Sequence, residues 1–190
     1  MTTEAGRKFI VGIGGTLRSN SSTELTVRRV LAHAASRGAE IQMFAGADVN
    51  LPMYEPGAQS VPKVAQDLIT ALRRADGVVI GSPGYHGGIS GLIKNALDYT
   101  EEMARDPTPY FAGRAIGCVA TGAGWQGANS TLQALRHVAH ALRGWPTSLG
   151  IALNSREPLF NSGGEPINPE VNAQLELMAI QLMQFVRTSY

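Results

Sequence analysis

The sequence predicts an α/β fold, a three-layer sandwich around one parallel sheet. Three observations carry that prediction. Short apolar runs alternate with helical patterns five times along the chain. Several of the runs end in glycine-rich turns, and the run Ala115 to Thr121 lacks the polar alternation of a half-exposed strand. A strand apolar on both faces belongs inside a parallel sheet, whose right-handed crossovers lay helices over both surfaces.

Lys8 to Ile13 is the first strand; Val27, Val30, Leu31, Ala34 and Ala35 then share one face of a helix that Gly38 closes. Ile41 to Ala45 reads as a brief, buried second strand, and Leu51 to Ser60 as a loop. Val61, Val64, Ala65, Leu68, Ile69 and Leu72 keep the i, i+3, i+4, i+7 spacing, with Pro62 in the first turn, and form the clearest helix of the chain. Gly77 to Gly81 is the third strand. Ile89, Leu92, Ile93, Ala96, Leu97 and Met103 mark the helix after it, which stops at a loop carrying Pro107 and Pro109. Ala115 to Thr121 is the fourth strand, Leu132, Leu135, Val138 and Leu142 line the next helix, and Ser148 to Leu153 is the fifth strand. Beyond the polar stretch Asn154 to Asn168, Val171, Leu175, Met178, Leu182, Phe185 and Val186 make a last helix.

A length of 190 residues fits one domain with a sizeable core. The formal charge of +1, with acids and bases mixed along the chain, gives no field to attract nucleic acid or an anionic membrane. Cys118 is the single cysteine, so no intrachain disulfide forms, and its apolar neighbours predict a buried thiol. No run approaches a signal h-region or a membrane span, and the chain reads as cytoplasmic.

In such sheets ligands bind beyond the carboxyl ends of the strands, at a topological switch point. The loops after strands one, three and four are therefore the candidates. The first, Gly14 to Thr23, leads into a helix whose unpaired N–H groups and positive dipole end favour an anion. Thr16, Ser19, Ser21, Ser22 and Thr23 add hydroxyls, and Arg18 offers a forked, charge-assisted contact. A simpler reading has Ser21, Ser22 or Thr23 as a helix cap; one cap does not call for an arginine and so many hydroxyls, which favours phosphate. Leu17 occupies the last glycine position of a G-x-G-x-x-G fingerprint, and no Gly-Lys-Ser/Thr follows, so neither a resident dinucleotide nor ATP is supported.

In the second loop, Gly81 to Gly88, Pro83 with Gly84, Gly87 and Gly88 permits a sharp turn and a close backbone approach to a planar ligand. Tyr85 and His86 shape the pocket; a plain turn with an exposed His86 is the alternative. The third loop, Thr121 to Gly127, places N–H groups where they stabilise negative charge, such as that of a reduced flavin's pyrimidine end. Trp125 there stacks on a ligand, packs on a partner or covers surface. A phosphate loop and a ring-edge loop at one sheet edge suggest a flavin mononucleotide (FMN) site.

Three segments, Gly-Thr-Leu-Arg-Ser-Asn-Ser-Ser-Thr from Gly15, the run from Gly81 to Asp98, and Thr121 to Gly127, make the chain resemble the NADPH-dependent FMN reductase family of flavodoxin-like proteins. The resemblance runs from Phe9 through the fourth helix. It implies a flavodoxin-like single FMN-binding domain over residues 1–190, with five strands in the order 2-1-3-4-5. Thr16, Arg18, Ser21 and Thr23 would contact the phosphate, helped by Ser22. The ring would lie against Pro83, Gly84, Tyr85, His86 and Gly87 and near Thr121, Gly122, Ala123 and Gly124. The implied activity is hydride transfer from NADPH or NADH to flavin N5 and onward to a small-molecule acceptor, with no side chain named as catalytic acid or base. Acceptors in view are free FMN for a flavin-dependent monooxygenase, a quinone, an azo dye or an oxidised metal ion. Members are commonly dimers or tetramers, so a homodimer or homotetramer joined through the helix Gly91 to Met103 is expected. Tyr99 replaces a tryptophan frequent in relatives, and Trp125 enlarges the third loop; both bear on substrate preference.

Two other function classes remain in view: a quinone or azo reductase using the same site, and an electron carrier without NAD(P)H turnover, against which the near-neutral charge speaks. His137 and His140 lack further ligands for a metal. Ser82 and Ser90 sit in no G-x-S-x-G elbow, Asp48 lacks the glycine motif that would make it a ribose ligand, and Glu101 and Glu102 read as charged surface.

Overall fold

The computed structural model describes residues 7–186. β1 (Phe9–Gly14) is buried throughout and turns into α1 (Ser22–Ala35), followed by β2 (Glu40–Phe44), a 3₁₀ turn (Gly46–Val49) and α2 (Lys63–Arg74). β3 (Gly77–Tyr85) and β4 (Gly88–Ile89) form a hairpin before α3 (Gly91–Asp98), which tightens into a second 3₁₀ turn (Tyr99–Met103). β5 (Ala115–Gly122), α4 (Trp125–Ala141), β6 (Trp145–Pro146), β7 (Ile151–Asn154) and α5 (Pro169–Gln184) complete the chain.

The main sheet is parallel with the order β2-β1-β3-β5, and both β6 and β7 run along the outer edge of β5. Taken as two pieces of one strand, β6 and β7 give the expected 2-1-3-4-5 order. The order reverses between β1 and β3, where Gly14 pairs with Gly81. Pro83 pairs with Thr121 and Gly122 with Asn154, so the carboxyl ends of four strands meet along one rim.

Side-chain alternation builds the layers. Phe9, Val11 and Ile13 pack with α2, α3 and α4 on one face; Ile10, Val79 and Val119 pack with α1 and α5 on the other. Gly12 lets α1 lie on the sheet, since a Cβ there would stand 2.7 Å from Leu31 Cδ1 and 2.8 Å from Val27 Cγ1.

Several boundaries differ from the sequence reading. The second strand is buried only at its end, at Phe44; Glu40, Ile41 and Gln42 are exposed, because β2 is an edge strand paired only to β1. The third strand runs four residues past Gly81, and most of the second loop is therefore strand. The fifth strand is split; Thr147 Oγ1 donates to Leu149 O at 2.7 Å, holding a turn between the pieces. Pro62 is the N-cap of α2 rather than a member of its first turn, and Val64 faces solvent. Ile89 belongs to β4, and Met103 is reached through a 3₁₀ turn, so α3 is shorter than its apolar spacing implies. Val186 lies beyond α5 and is exposed.

Candidate functional site

The first loop is built to leave a helix end open. Gly15 has φ +104, and a Cβ there would meet Glu24 Cβ at 3.0 Å, so the chain reverses where only glycine fits without strain. Thr16 Oγ1 accepts from Arg18 N at 3.1 Å, closing a local turn. Asn20, at φ 56, donates its N–H to Glu24 Oε2 at 3.1 Å, while Ser21 Oγ accepts from Glu24 N at 3.3 Å. Ser21 and Glu24 thus act as a variant capping box. The buried Glu24 carboxylate is paired to Arg28 Nε at 2.8 Å, which removes its charge as an obstacle to an anion nearby. Among the described residues, the N–H groups of Ser22 and Thr23 have no hydrogen-bond partner, and the exposed Arg18 guanidinium has no acidic one. Ser21 is therefore a cap, as the simpler reading had it. Its hydroxyl accepts from the helix and keeps its proton free to donate outward.

The second loop is a pinned flap. His86 (φ 52) and Gly87 (φ 87) make a two-residue turn with positive φ at both positions, pairing Tyr85 with Gly88 and Gly84 with Ile89. A Cβ on Gly84 would lie 2.7 Å from Thr131 Oγ1 and 2.9 Å from Gly127 O. The close approach that this glycine permits is thus to α4. Ser82 Oγ accepts from Ser90 N at 2.9 Å, and Ser90 Oγ accepts from Ile93 N at 3.3 Å to cap α3.

The third loop joins the other two. Thr121 Oγ1 and Thr23 Oγ1 share a buried 2.6 Å hydrogen bond, tying the end of β5 to the first turn of α1. Gly122 O accepts from Ser155 N at 2.8 Å, and Ala123 O accepts from Arg156 Nε at 2.7 Å. α4 begins at Trp125 without a side-chain cap, so Trp125, Gln126 and Gly127 are its first turn and not loop. The Trp125 ring is 58% exposed and covers no core.

A cavity of about 270 Å³ is lined by Thr16, Arg18, Ser21, Ser22, Thr23, Pro83, Gly84, Tyr85, Thr121, Gly122, Ala123 and Ser155. Eleven of the fourteen residues singled out in the sequence meet there. His86 and Gly87 lie instead at the flap tip, with Gly87 near Ser130 Oγ, and Gly124 is at the neck of α4. Ser155 lies outside the three predicted loops; it follows β7, the fourth strand end on this rim, in a polar stretch whose residue types carry no signal for it. An adjoining cavity of about 550 Å³ shares Thr16, Arg18, Pro83 and Tyr85 and adds Gly15, Leu17, Ser90 and Leu92, giving it an apolar wall. Cys118 lies away from both, inside β5; burial pushes its thiol up to about 12, opposed by Arg136, so it supplies no thiolate at neutral pH.

Comparison with known proteins gives the family of the chain. The family model for NADPH-dependent FMN reductases matches residues 9–157. The chain belongs to that family. Membership makes it an FMN-binding oxidoreductase that draws electrons from NAD(P)H. Among curated relatives, the FMN-dependent NADPH-azoreductase of Staphylococcus aureus is 25% identical over 182 residues, covering 92% of this chain and 93% of the relative. Among solved structures, the NADH:FMN oxidoreductase EMOB in its apo form has a TM-score of 0.71 at 22% identity, covering 95% of this chain and 91% of that one. An oxidoreductase from Corynebacterium diphtheriae follows at a TM-score of 0.70 and 19% identity, covering 95% and 97%. These likenesses show the flavodoxin-like fold.

The donor set fits an FMN phosphate. Two open N–H groups at a helix N-terminus, the hydroxyls of Ser21 and Ser22 and a guanidinium without an acidic partner among the described residues suit a dianion on a flexible tail.

Proposed function

We propose that the enzyme holds FMN in the 270 Å³ cavity, its phosphate on the first turn of α1 and its ring between the flap and the third loop. The observation that carries this reading is the convergence of three separated loops, joined by the Thr23–Thr121 hydrogen bond, on one cavity. Ser22 and Thr23 offer N–H groups to the phosphate and Ser21 and Ser22 offer hydroxyls; Arg18 offers charge from a turn that Thr16 closes, its hydroxyl donating to Arg18 O at 3.2 Å. Thr23 spends its hydroxyl on Thr121, so its part in phosphate binding is its backbone. Pro83, Gly84 and Tyr85 wall one side of the ring, with His86 and Gly87 shaping the flap tip; Thr121, Gly122 and Ala123 present the opposite edge, with Gly124 next to it at the neck of α4.

Bound FMN supplies the redox chemistry, taking a hydride from NADPH or NADH and delivering electrons to an acceptor. The chain's contribution is to orient and to exclude water. Leu17, Pro83, Tyr85 and Leu92 give the larger cavity an apolar, partly aromatic wall, which suits a flat nicotinamide and then a flat acceptor. Free FMN, a quinone or an azo compound fits that description; the azoreductase relative supports the last. We place the enzyme in the cytoplasm as a homodimer or homotetramer, each chain one FMN-binding unit. Support for self-association is the exposed Leu17, Tyr85 and Trp125, which a second copy would cover. Among the described residues no helix is long and apolar enough to cross a membrane.

An anaerobic NADPH titration of FMN-loaded protein tests the reading. Bleaching of the flavin absorbance, and steady NADPH oxidation once FMN or an azo dye is added in air-free buffer, is the expected result. A flavin that stays oxidised with both NADPH and NADH would contradict it.

A further inference from the structure

Arg156 is the charged group at the rim that nothing above employs. Its Nε donates to Ala123 O at 2.7 Å, and its own N–H is held by Asn154 Oδ1 at 3.1 Å, so the guanidinium is seated by the turn after β7. Next to it, Ser155 lines the 270 Å³ cavity and donates its N–H to Gly122 O; Arg156 lines none of that cavity. The guanidinium thus reaches the third loop from outside. A trans peptide is planar, with C=O and N–H pointing in opposite directions. Fixing Ala123 O outward therefore turns the Gly124 N–H to the side away from Arg156. Among the described residues no other hydrogen bond reaches that peptide; the next carbonyl is fixed, Gly124 O accepting from Ala128 N at 3.2 Å, and Gly124 sits at φ +148, a region other residues avoid. Arg156 also has no acidic partner among the described residues; it is exposed, so water screens its charge and its hold on the loop is chiefly the hydrogen bond to Ala123 O.

We infer that Arg156 is a positioning residue for the flavin's pyrimidine edge, aiming the Gly124 N–H at the ring and favouring the negative charge that reduction brings there. The inference rests on the FMN reading and deepens it. Reduced flavin gains more from the aimed donor and the cation than oxidised flavin does, because only the former carries the charge.

The test compares wild-type protein, R156Q and R156K, each loaded with FMN, by midpoint potential against a reference dye and by FMN affinity from fluorescence quenching. R156Q is expected to weaken binding of the reduced form about tenfold more than the oxidised form, a potential lower by about 30 mV for the two-electron couple. R156K keeps the charge and one donor, and should recover most of that loss. An R156Q potential equal to wild type overturns the inference, whatever happens to affinity, since a merely structural role weakens both forms alike. An R156K potential as low as that of R156Q overturns the part assigned to charge. Wild-type protein that takes up no FMN would instead bring down the FMN reading itself, an outcome distinct from either.

Discussion

Arg18 and Gly15 do different work in the same turn. Arg18 is exposed, so water competes for its guanidinium, and Arg18→Ala should weaken FMN binding by about 1.5 kcal/mol, the low end for a charged hydrogen bond. That is roughly tenfold in Kd by fluorescence titration. Unchanged affinity would remove Arg18 from the phosphate site. Gly15→Ala strains a positive-φ position and crowds Glu24, and should lower folding stability by about 1 to 3 kcal/mol in urea melts. His86 is a third kind of case: it holds a left-handed conformation that asparagine adopts more readily. His86→Asn should therefore stabilise the hairpin by up to about 1 kcal/mol. These residues were legible to different degrees. Residue type and spacing mark Ser21, Ser22 and Thr23 as phosphate ligands or caps; which of their atoms the fold already uses depends on Glu24 and Thr121, and Thr121 is 98 positions away from Thr23.

At the scale of elements, the alternation of strand and helix was plain because both periods leave a direct apolar trace. What failed were features set by neighbours. Ile41 to Ala45 looks buried by composition, yet β2 lies at an edge, and Ile41 is 41% exposed there. The second loop looks like a loop because of its proline and glycines; pairing with β4 and contact with α4 make it strand. Arg114 is a further feature no pattern announces. Its buried guanidinium donates to Ala75 O at 2.8 Å, Arg73 O at 3.0 Å and Tyr110 O at 2.6 Å, clamping the end of α2 to the approach to β5. Arg114→Met would leave those carbonyls without that donor and should cost at least about 3 kcal/mol of stability. Because Arg114 sits at the amino end of β5, opposite the candidate site, the folded fraction should bind FMN with unchanged affinity. A parallel loss of affinity would mean that the two ends of the sheet are coupled.

For the molecule as a whole, the groups whose pKa is moved inside the core set an alkaline limit. Burial raises Cys118 from 9.0 to about 12, and burial followed by the carboxylate of Glu102 raises Tyr99. Each binds its proton more tightly in the folded chain. Their stabilising effect is complete below the unfolded pKa and is lost as pH rises through the folded value, so the melting temperature should fall from about pH 9 upward. Cys118→Ala should flatten that decline at some cost in packing, and a thiol reagent should label Cys118 only when the chain opens.

The placement of the phosphate on α1 is the claim on which the rest depends, and the dissociation constants of FMN and riboflavin for the wild-type protein test it most directly. Riboflavin keeps the ring and lacks the phosphate. FMN should bind at least about tenfold more tightly, the increment for one or two charge-assisted contacts, and the advantage should shrink in Arg18→Ala. Equal affinities for the two flavins would contradict the account.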